Sequence, residues 1–237
     1  MSLPILAPLF QGEFKQYANI FRFPAGNNTS LPASVLLDPR FVKDQLALFR
    51  PDCDESLFTE VLSEWSKYYF IRILAPVIAA SVLLGHALPV RLSELELIFG
   101  KDGTVHGFVV KEQGTPITTT GVARYESLIE DNLKPLIESW SLHFSVPIKI
   151  LWVNAARYIN WINVQLEQAG MDVEICNTVK LLLDHRYIND NVNPLFGCYR
   201  SKRIANKLVQ VRRNCCLRYR LPATDLCDDC PRLLEPK

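Results

Sequence analysis

Four cysteines in the C-terminal part of the sequence have a spacing suited to metal chemistry. Cys215 and Cys216 are adjacent, ten residues follow them, and Cys227 and Cys230 then form a C-x-x-C pair. They are four of the seven cysteines in the chain and fall within sixteen positions. Thiols grouped in this way form disulfides, bind zinc or hold an iron–sulfur cluster. The function depends on which of these three applies.

Composition argues against disulfides. The first residues, MSLPILAPLFQGEF, show neither a basic region nor a cleavage site, so no signal peptide is expected. The cysteine number is odd, and 49% of the 237 residues are hydrophobic, which is enough for a core without covalent cross-links. We therefore expect a cytoplasmic protein with reduced thiols. In that compartment, grouped cysteines favour metal binding.

The adjacent pair, Cys215 and Cys216, bears on the choice between zinc and an iron–sulfur cluster. Two intervening residues let both sulfurs of a C-x-x-C loop reach one ion or one cluster edge. Neighbouring side chains of a strand point apart, so closing Cys215 and Cys216 onto one zinc ion strains the backbone. A zinc ribbon normally avoids this with two C-x-x-C loops. In a two-iron cluster, adjacent sulfurs can reach different irons. The spacing thus favours a [2Fe–2S] cluster and leaves zinc open.

Charge is distributed unevenly along the chain. The formal net charge is +1, yet residues 199–237 carry ten Lys and Arg against four Asp and Glu. The first cysteine pair is bracketed by Arg212, Arg213, Arg218 and Arg220. Cations near an anionic cluster stabilise its reduced form and attract an anionic substrate. The alternative is that these arginines form ion pairs with the acidic remainder of the chain.

Several common chemistries leave no motif in this sequence. It has no G-x-G-x-x-G dinucleotide pattern, no Walker A loop, no H-E-x-x-H and no G-x-S-x-G. No flavin or nicotinamide site is therefore predicted. The two acids between the last cysteines, Asp228 and Asp229, are interpreted as solvated turn residues.

The pattern of apolar residues predicts an α+β fold. Helical spacing covers 39–49, 56–67, 65–84, 125–139 and 173–183. A hairpin is predicted for 95–99 with 105–110, and short strands for 148–153 and 207–213. Asn154 is predicted to cap the helix that follows it. We expect a body over residues 1–210, with residues 211–237 packed on it as the cluster-binding segment.

The longest apolar run, Tyr68 to Val90, is predicted to be a buried core helix. It contains Arg72, Pro76, His86 and Pro89. A membrane-spanning helix needs about 20 apolar residues without such interruptions. No integral membrane segment is therefore expected, although peripheral contact with a membrane is compatible with this sequence.

One family shares the segment around the cysteines. The sequence RRNCCLRYRLP at 212–222, followed by CDDC at 227–230, resembles the C-terminal signature of the FhuF-type ferric-siderophore reductases. Weaker similarity extends to LWVN at 151–154, YINW at 158–161 and NPLF at 193–196. The resemblance covers the last 90 residues or so well and the first 60 hardly at all.

The resemblance implies a cofactor and an activity. Cys215, Cys216, Cys227 and Cys230 would hold a [2Fe–2S] cluster, and the protein would reduce siderophore-bound Fe(III) to Fe(II), which then leaves its chelator. Arg213, Arg218 and Arg220 are predicted to bind the ferric siderophore. The electron donor would be a ferredoxin or a flavoprotein reductase. Cys53, Cys176 and Cys198 match no family motif and are interpreted as core residues.

Two other functions stay open on the sequence alone. One is a zinc-stabilised binding module whose basic tail contacts nucleic acid or an acidic protein, although no nucleic acid partner is expected if the family resemblance holds. The other is a siderophore-binding or siderophore-assembly protein whose cluster only senses redox state or stabilises the tail. The colour and metal content of the purified protein distinguish the first of these from a reductase, and turnover distinguishes the second.

Overall fold

The computed structural model describes residues 2–9, 15, 17–25, 29–204, 207–227 and 229–234. Within these residues the α-helices, in chain order, are α1 (Pro39–Phe49), α2 (Phe58–Leu83), α3 (Glu126–Leu128), α4 (Lys134–Phe144), α5 (Ile148–Gln168) and α6 (Val173–Asp184). One π-helical turn, Ile129–Leu133, joins α3 to α4.

The strands are short and form small sheets. In chain order they are β1 (Phe21–Arg22), β2 (Leu31–Pro32), β3 (His86–Ala87), β4 (Glu96–Phe99), β5 (Val105–Val109), β6 (Thr115–Pro116), β7 (Tyr187–Ile188), β8 (Asn191–Val192), β9 (Tyr199–Ile204) and β10 (Lys207–Arg212). The largest sheet has the order β1-β5-β4-β2, in which β1 is parallel to β5 and the other pairs are antiparallel. The helix-rich α+β fold class is confirmed.

Most of the predicted elements are present. Helices α1 and α6, the hairpin β4–β5 and strand β10 lie where the sequence pattern places them. The two overlapping helices predicted over 56–84 are one continuous helix, α2, which contains Pro76. The helix predicted over 125–139 occurs as α3, the π turn and α4, and it extends further, to Phe144.

The strand predicted over 148–153 is wrong, because these residues form the first turns of α5. The four consecutive apolar residues 150–153 are all buried, and a run of buried residues does not distinguish a strand from a helix. The capping role predicted for Asn154 is wrong for the same reason. Asn154 lies inside α5, fully buried, and its side chain points to α2.

Helix α2 is the central element of the core. Its Trp65 ring packs edge-on against Trp140 of α4, with ring centroids 5.5 Å apart. The indole N–H of Trp65 donates to the carbonyl of Gly103, at 2.9 Å, in the β4–β5 turn. Gly103 has a φ of +73°, and a side chain there would collide with the carbonyl oxygen of Gln45. The turn therefore needs glycine, and it attaches the sheet to α2.

The segment Glu55–Leu83, which includes α2, is long and apolar enough to cross a membrane, with a mean hydropathy of 1.3 over its most apolar window. However, 72% of that window is buried inside the protein. Burial of this extent is typical of the core helix of a globular domain. The buried helix predicted for the apolar run 68–90 is thus present up to Leu83, whereas the rest of the run lies outside α2 and includes β3.

Strand β10 carries the chain to the first cysteine pair. It pairs along its whole length with β9, from Lys207 opposite Ile204 to Arg212 opposite Tyr199. The backbone N–H of Arg213 then donates to the carbonyl of Cys198, at 2.9 Å. The cysteine-containing segment thus begins at a fixed position against the body.

Candidate metal centre

The four C-terminal cysteines lie together and form two close pairs. The Sγ atoms of Cys215 and Cys230 are 3.6 Å apart, and those of Cys216 and Cys227 are 3.4 Å apart. Cys216, Cys227 and Cys230 are at most 4% exposed, whereas Cys215 is partly exposed. Two sulfurs on one tetrahedral metal ion are about 3.7 Å apart for metal–sulfur bonds near 2.3 Å. Each pair therefore has the spacing of two ligands on one metal ion.

A line of polar residues on α2 faces these cysteines. Glu60, Ser63, Glu64 and Lys67 recur at three- and four-residue intervals, so they share one side of the helix. We call them the α2 polar stripe. Such a stripe normally faces water, yet here Glu60, Ser63 and Lys67 are 6%, 0% and 3% exposed. The C-terminal segment covers them.

Each residue of the α2 polar stripe has its own partner in that segment. The hydroxyl of Ser63 donates to the carbonyl of Cys216, at 2.7 Å. The Lys67 ammonium lies 3.1 Å from the Cys216 Sγ and 2.5 Å from the Glu64 carboxylate. The remaining partners are arginines: Arg218 lies 3.6 Å from Glu64, and Arg220 lies 3.1 Å from Glu60.

Asn154 of α5 forms hydrogen bonds with the α2 polar stripe. Its amide donates to the carbonyl of Ser63, at 2.9 Å, and lies 3.1 Å from the Ser63 hydroxyl. It also lies 3.3 Å from the Ser66 hydroxyl. Hydrogen bonds therefore connect Asn154 of α5 to Ser63 of α2, and Ser63 to Cys216. They fix the backbone at Cys216 relative to two core helices.

The C-x-x-C loop is held from its other side by Asp229. Its carboxylate lies 3.0 Å from Arg157 of α5 and 3.0 Å from Arg212, whose side chain is fully buried. Asp229 is 41% exposed, so it is solvated as predicted, but it also neutralises a buried cation. Asp228 lies outside the described residues.

The backbone turns sharply after the cysteine pair. Leu217 has a φ of +65°, in the left-handed region that side chains with a Cβ rarely adopt. The next turn closes by a 2.9 Å hydrogen bond from the Arg220 N–H to the Leu217 carbonyl. A second turn closes from the Cys230 N–H to the Cys227 carbonyl. These turns bring sulfurs that are eleven and fifteen residues apart into contact.

The surroundings favour a thiolate at Cys216. Hydrogen bonds from Cys215 and Cys227, together with the nearby charge of Lys67, hold the pKa of the Cys216 thiol far below its usual value. In contrast, burial raises the pKa of the Cys198 thiol to about 12. The hydrogen bonds to Cys216 in turn raise the pKa of the Cys215 and Cys227 thiols, so the arrangement favours one thiolate, on Cys216.

The arginines predicted to bind substrate have different environments. Arg218 and Arg220 pair with acids of α2, in the manner of the ion-pair alternative. Arg213 is exposed and donates to the carbonyl of Tyr199, at 3.4 Å, and within the described ranges it has no carboxylate partner. Of the other three cysteines, Cys176 and Cys198 are buried and Cys53 is half-buried, packed against the same core.

Sequence reasoning missed the contacts of the α2 polar stripe and of Asn154 with the cysteine segment, and the ion pairs of Asp229. The stripe had a visible signal, because its polar residues follow helical spacing inside an otherwise apolar helix. That pattern usually indicates a solvated face. Only the fold shows that a segment about 150 residues away covers it.

The residues present fit a [2Fe–2S] cluster. Such a cluster needs four thiolates arranged as two pairs, and the structure provides two pairs at the required spacing. Lys67, Arg212 and Arg218 surround the pairs and compensate for the negative charge of a thiolate-bound cluster. No group of three or more His, Cys, Asp and Glu side chains suited to one ion occurs in the part of the chain that the structure describes.

Comparison with known proteins places this architecture in a class of iron–sulfur proteins. A family model described as "FhuF 2Fe-2S C-terminal domain" matches residues 212–232. A second one, described as "Ferric iron reductase FhuF-like transporter", matches residues 63–208. The first match covers all four cysteines and the second covers the α2 polar stripe from Ser63 onward. The C-terminal segment is therefore a [2Fe–2S] domain.

The chain belongs to the FhuF family, since the second match extends over more than half of its length. A curated relative, the "Ferric siderophore reductase" of Escherichia coli (strain K12), is 27% identical over 173 residues. The aligned region is 72% of this chain but 64% of the relative, so it spans less than two thirds of the relative's length.

Proposed function

We propose that this protein is a ferric-siderophore reductase. Cys215, Cys216, Cys227 and Cys230 are the cluster ligands in this proposal, with Cys215 and Cys230 on one iron and Cys216 and Cys227 on the other. The observation that carries it is the pairwise arrangement of the four thiols within a [2Fe–2S] domain. The name of the E. coli relative supports the choice of substrate.

The bound cluster supplies one electron at a time, so that one Fe(III) in a siderophore becomes Fe(II). Oxygen donors hold Fe(II) more weakly than Fe(III), and the metal therefore leaves the chelator. The residues of the chain hold and orient the cluster ligands. Ser63 and Asn154 fix the backbone at Cys216, and Lys67 donates a charge-assisted hydrogen bond to its sulfur.

Arg213, Arg218 and Arg220 are proposed to attract a negatively charged ferric chelate. Arg213 contributes most of this attraction. The carboxylates of Glu64 and Glu60 offset part of the charge of Arg218 and Arg220. The electron donor is a separate protein such as a ferredoxin or a flavoprotein reductase. We propose a cytoplasmic location, where the released Fe(II) is useful to the cell and thiols stay reduced.

A single-turnover experiment tests the activity. The protein is purified without oxygen and reduced with dithionite, and the excess reductant is removed. A ferric siderophore is then added together with a chromogenic chelator specific for Fe(II). We expect the spectrum of the oxidised cluster to return while about one Fe(II) per chain is trapped.

Two outcomes contradict the proposal in different ways. A siderophore that binds while the cluster stays reduced indicates a sensing protein that does not catalyse reduction. A colourless preparation from iron-replete cells with one zinc per chain indicates a zinc-stabilised module. A variant that lacks the cluster, Cys227→Ser, is the control for iron reduced directly by traces of dithionite.

A further inference from the structure

A surface groove begins next to the cysteine segment. A cavity of about 340 Å³ lies between the start of α5 and the segment 194–198. Phe196, Gly197 and Arg213 line both this cavity and a neighbouring one of about 490 Å³, so the two are continuous along Phe196. We call them the Phe196 groove. Volumes of roughly 300–1,000 Å³ are typical of sites for small molecules.

The groove is adjacent to the accessible side of the thiol site. Asn214 lines it and directly precedes Cys215, the most exposed of the four cysteines. Cys198 lines it too, and its carbonyl accepts the hydrogen bond from the Arg213 N–H. A molecule bound in the groove would therefore lie beside Asn214, the residue that precedes Cys215.

Two cations line the cavity of the groove that is nearest Cys215. Lys149 and Arg213 are exposed, and neither forms an ion pair with an acid in the ranges that the structure describes. The neighbouring arginines 212, 218 and 220 each have a carboxylate partner. The cavity nearest Cys215 has no acidic residue in its described lining. This arrangement suits a ligand with negative charge.

The groove also has apolar walls. Phe196 is 47% exposed although it is a large aromatic residue, and Trp152 and Val153 form the opposite side. Phe196, Trp152 and Val153 belong to the two upstream segments, 151–154 and 193–196, that resemble the FhuF family. Unlike Asn154 of the first segment, they have no role in holding the thiols. Apolar walls with a few charged groups are typical of sites for small molecules.

A cavity beside the largest sheet is lined mainly by acidic instead of basic charged residues. Its volume is about 650 Å³ and its walls come from the sheet, with Glu94, Glu96 and Glu112 against Lys111. None of its described lining residues comes from α5 or from the cysteine segment. The three carboxylates would repel an anionic chelate, and the lining residues are distant in sequence from the four cysteines.

We infer that the Phe196 groove binds the ferric siderophore, and that it selects chelates with net negative charge, such as those with carboxylate donors, over neutral trihydroxamates. Lys149 and Arg213 bind the anionic donor groups, while Phe196 packs against the apolar arms. This inference rests on the proposed reductase function, since it concerns the substrate of the same site.

Binding is tested with gallium, because Ga(III) resembles Fe(III) in size and charge but does not accept the electron. The ligands are the Ga(III) complex of a citrate-based dihydroxamate, which is anionic, and the Ga(III) complex of a cyclic trihydroxamate, which is neutral. Titration calorimetry on the cluster-loaded protein gives both affinities. We expect tighter binding of the anionic complex, and an approximately tenfold loss of it in the double variant Lys149→Glu, Arg213→Glu.

Two further variants decide the inference. Phe196→Ala should weaken both complexes about fivefold, and Lys111→Glu in the sheet cavity is the matched control that should change neither. Unchanged binding in the double variant, or a loss in Lys111→Glu alone, overturns the inference. The visible spectrum and the cluster potential of each variant show whether the thiol site is intact.

The groove assignment and the reductase proposal can fail independently in these experiments. If the double variant loses anionic Ga(III) binding but the unmodified protein never reduces the ferric complex, the groove is a siderophore site and the reductase proposal fails. If the double variant binds and reduces at the unmodified level, the reductase proposal stands and the groove assignment fails.

Discussion

The two cysteine pairs have different surroundings. Cys216 and Cys227 face the α2 polar stripe and are buried, with Lys67 directly on the Cys216 sulfur. Cys215 of the other pair is partly exposed and follows the residue that lines the Phe196 groove. Hydrogen bonds and charge near the sulfurs set the reduction potential of a cluster, whereas access to its edge determines what it exchanges electrons with. We therefore expect the inner pair, Cys216 and Cys227, to set the reduction potential of the cluster. The outer pair, Cys215 and Cys230, is expected to mark the edge at which the cluster exchanges electrons.

The largest expected effect comes from removing an inner thiol. Cys216→Ser should abolish the cluster, because it removes the ligand on which Lys67 and the neighbouring thiols converge. The unmodified protein should be red-brown, with about two irons and two acid-labile sulfides per chain. Iron and sulfide analysis with the visible spectrum measures both.

The matched control is Cys198→Ser, which alters a buried cysteine of the body and should leave the spectrum unchanged. Cys53→Ser and Cys176→Ser should behave in the same way. We would abandon the four-ligand assignment if Cys216→Ser kept a native cluster while Cys198→Ser lost it.

The next effect concerns stability on the side of the C-x-x-C loop. Asp229→Asn removes the only carboxylate partner that the described residues offer to the buried Arg212. Leaving Arg212 without this carboxylate should cost about 2 kcal/mol, less than for a fully buried pair since Asp229 is 41% exposed. Thermal unfolding of the loaded protein should occur about 4–8 °C lower.

Asp225→Asn is the control for that change, because Asp225 is an exposed acid of the same segment. An equal drop in both variants would mean that net charge, and not the Arg212 ion pair, stabilises the loop.

A smaller but specific effect is expected at Lys67. The reduced cluster is more negative than the oxidised one, so removing a cation from the Cys216 sulfur disfavours reduction. Lys67→Met keeps the length and most of the volume of the side chain and should lower the midpoint potential by about 60 mV, which corresponds to about 1.4 kcal/mol for one electron. A redox titration followed by electron paramagnetic resonance measures it.

The control for Lys67→Met is Lys111→Met, which removes one positive charge on the sheet side. A potential that stays constant in Lys67→Met contradicts the tuning role of the inner pair. Glu64 keeps Arg218 as a partner in the variant, so loss of the whole site is not the expected result.

The smallest effect is expected for Arg218→Gln and Arg220→Gln. Each arginine already faces a carboxylate of α2, and partly exposed ion pairs of this kind contribute about 0–1 kcal/mol. Reduction of an anionic ferric chelate at low salt should slow by no more than about twofold. A much larger slowing that disappears at high salt would mean that substrate steering depends on them more than on Arg213.

The sequence alone predicted the features that depend on local spacing. The C-C and C-x-x-C pattern identified the thiols, and helical periodicity identified α1, α2 and α6. In each case the physical information lies within a few residues, since a chelating loop and one face of a helix are both short-range patterns.

Features that depend on distant contacts were not predicted. Residues 148–153 read as a strand because burial on most sides removes the period that distinguishes a helix. Strand β9 was missed, because its charged sequence YRSKRI reads as a strand only beside its partner β10. Ser63 and Lys67 were not singled out, because nothing in α2 itself indicates which segment covers them.

The contact between Lys67 and Cys216 also couples cofactor loading to docking of the C-terminal segment. Lys67 becomes dehydrated only when that segment docks on α2, and dehydrating an ammonium is unfavourable unless an anion lies beside it. Glu64 provides part of that compensation, and a metal-bound thiolate would provide the rest. We therefore expect a chain without its cofactor to hold this segment more weakly on α2, and an added protease to cleave the segment faster in that chain.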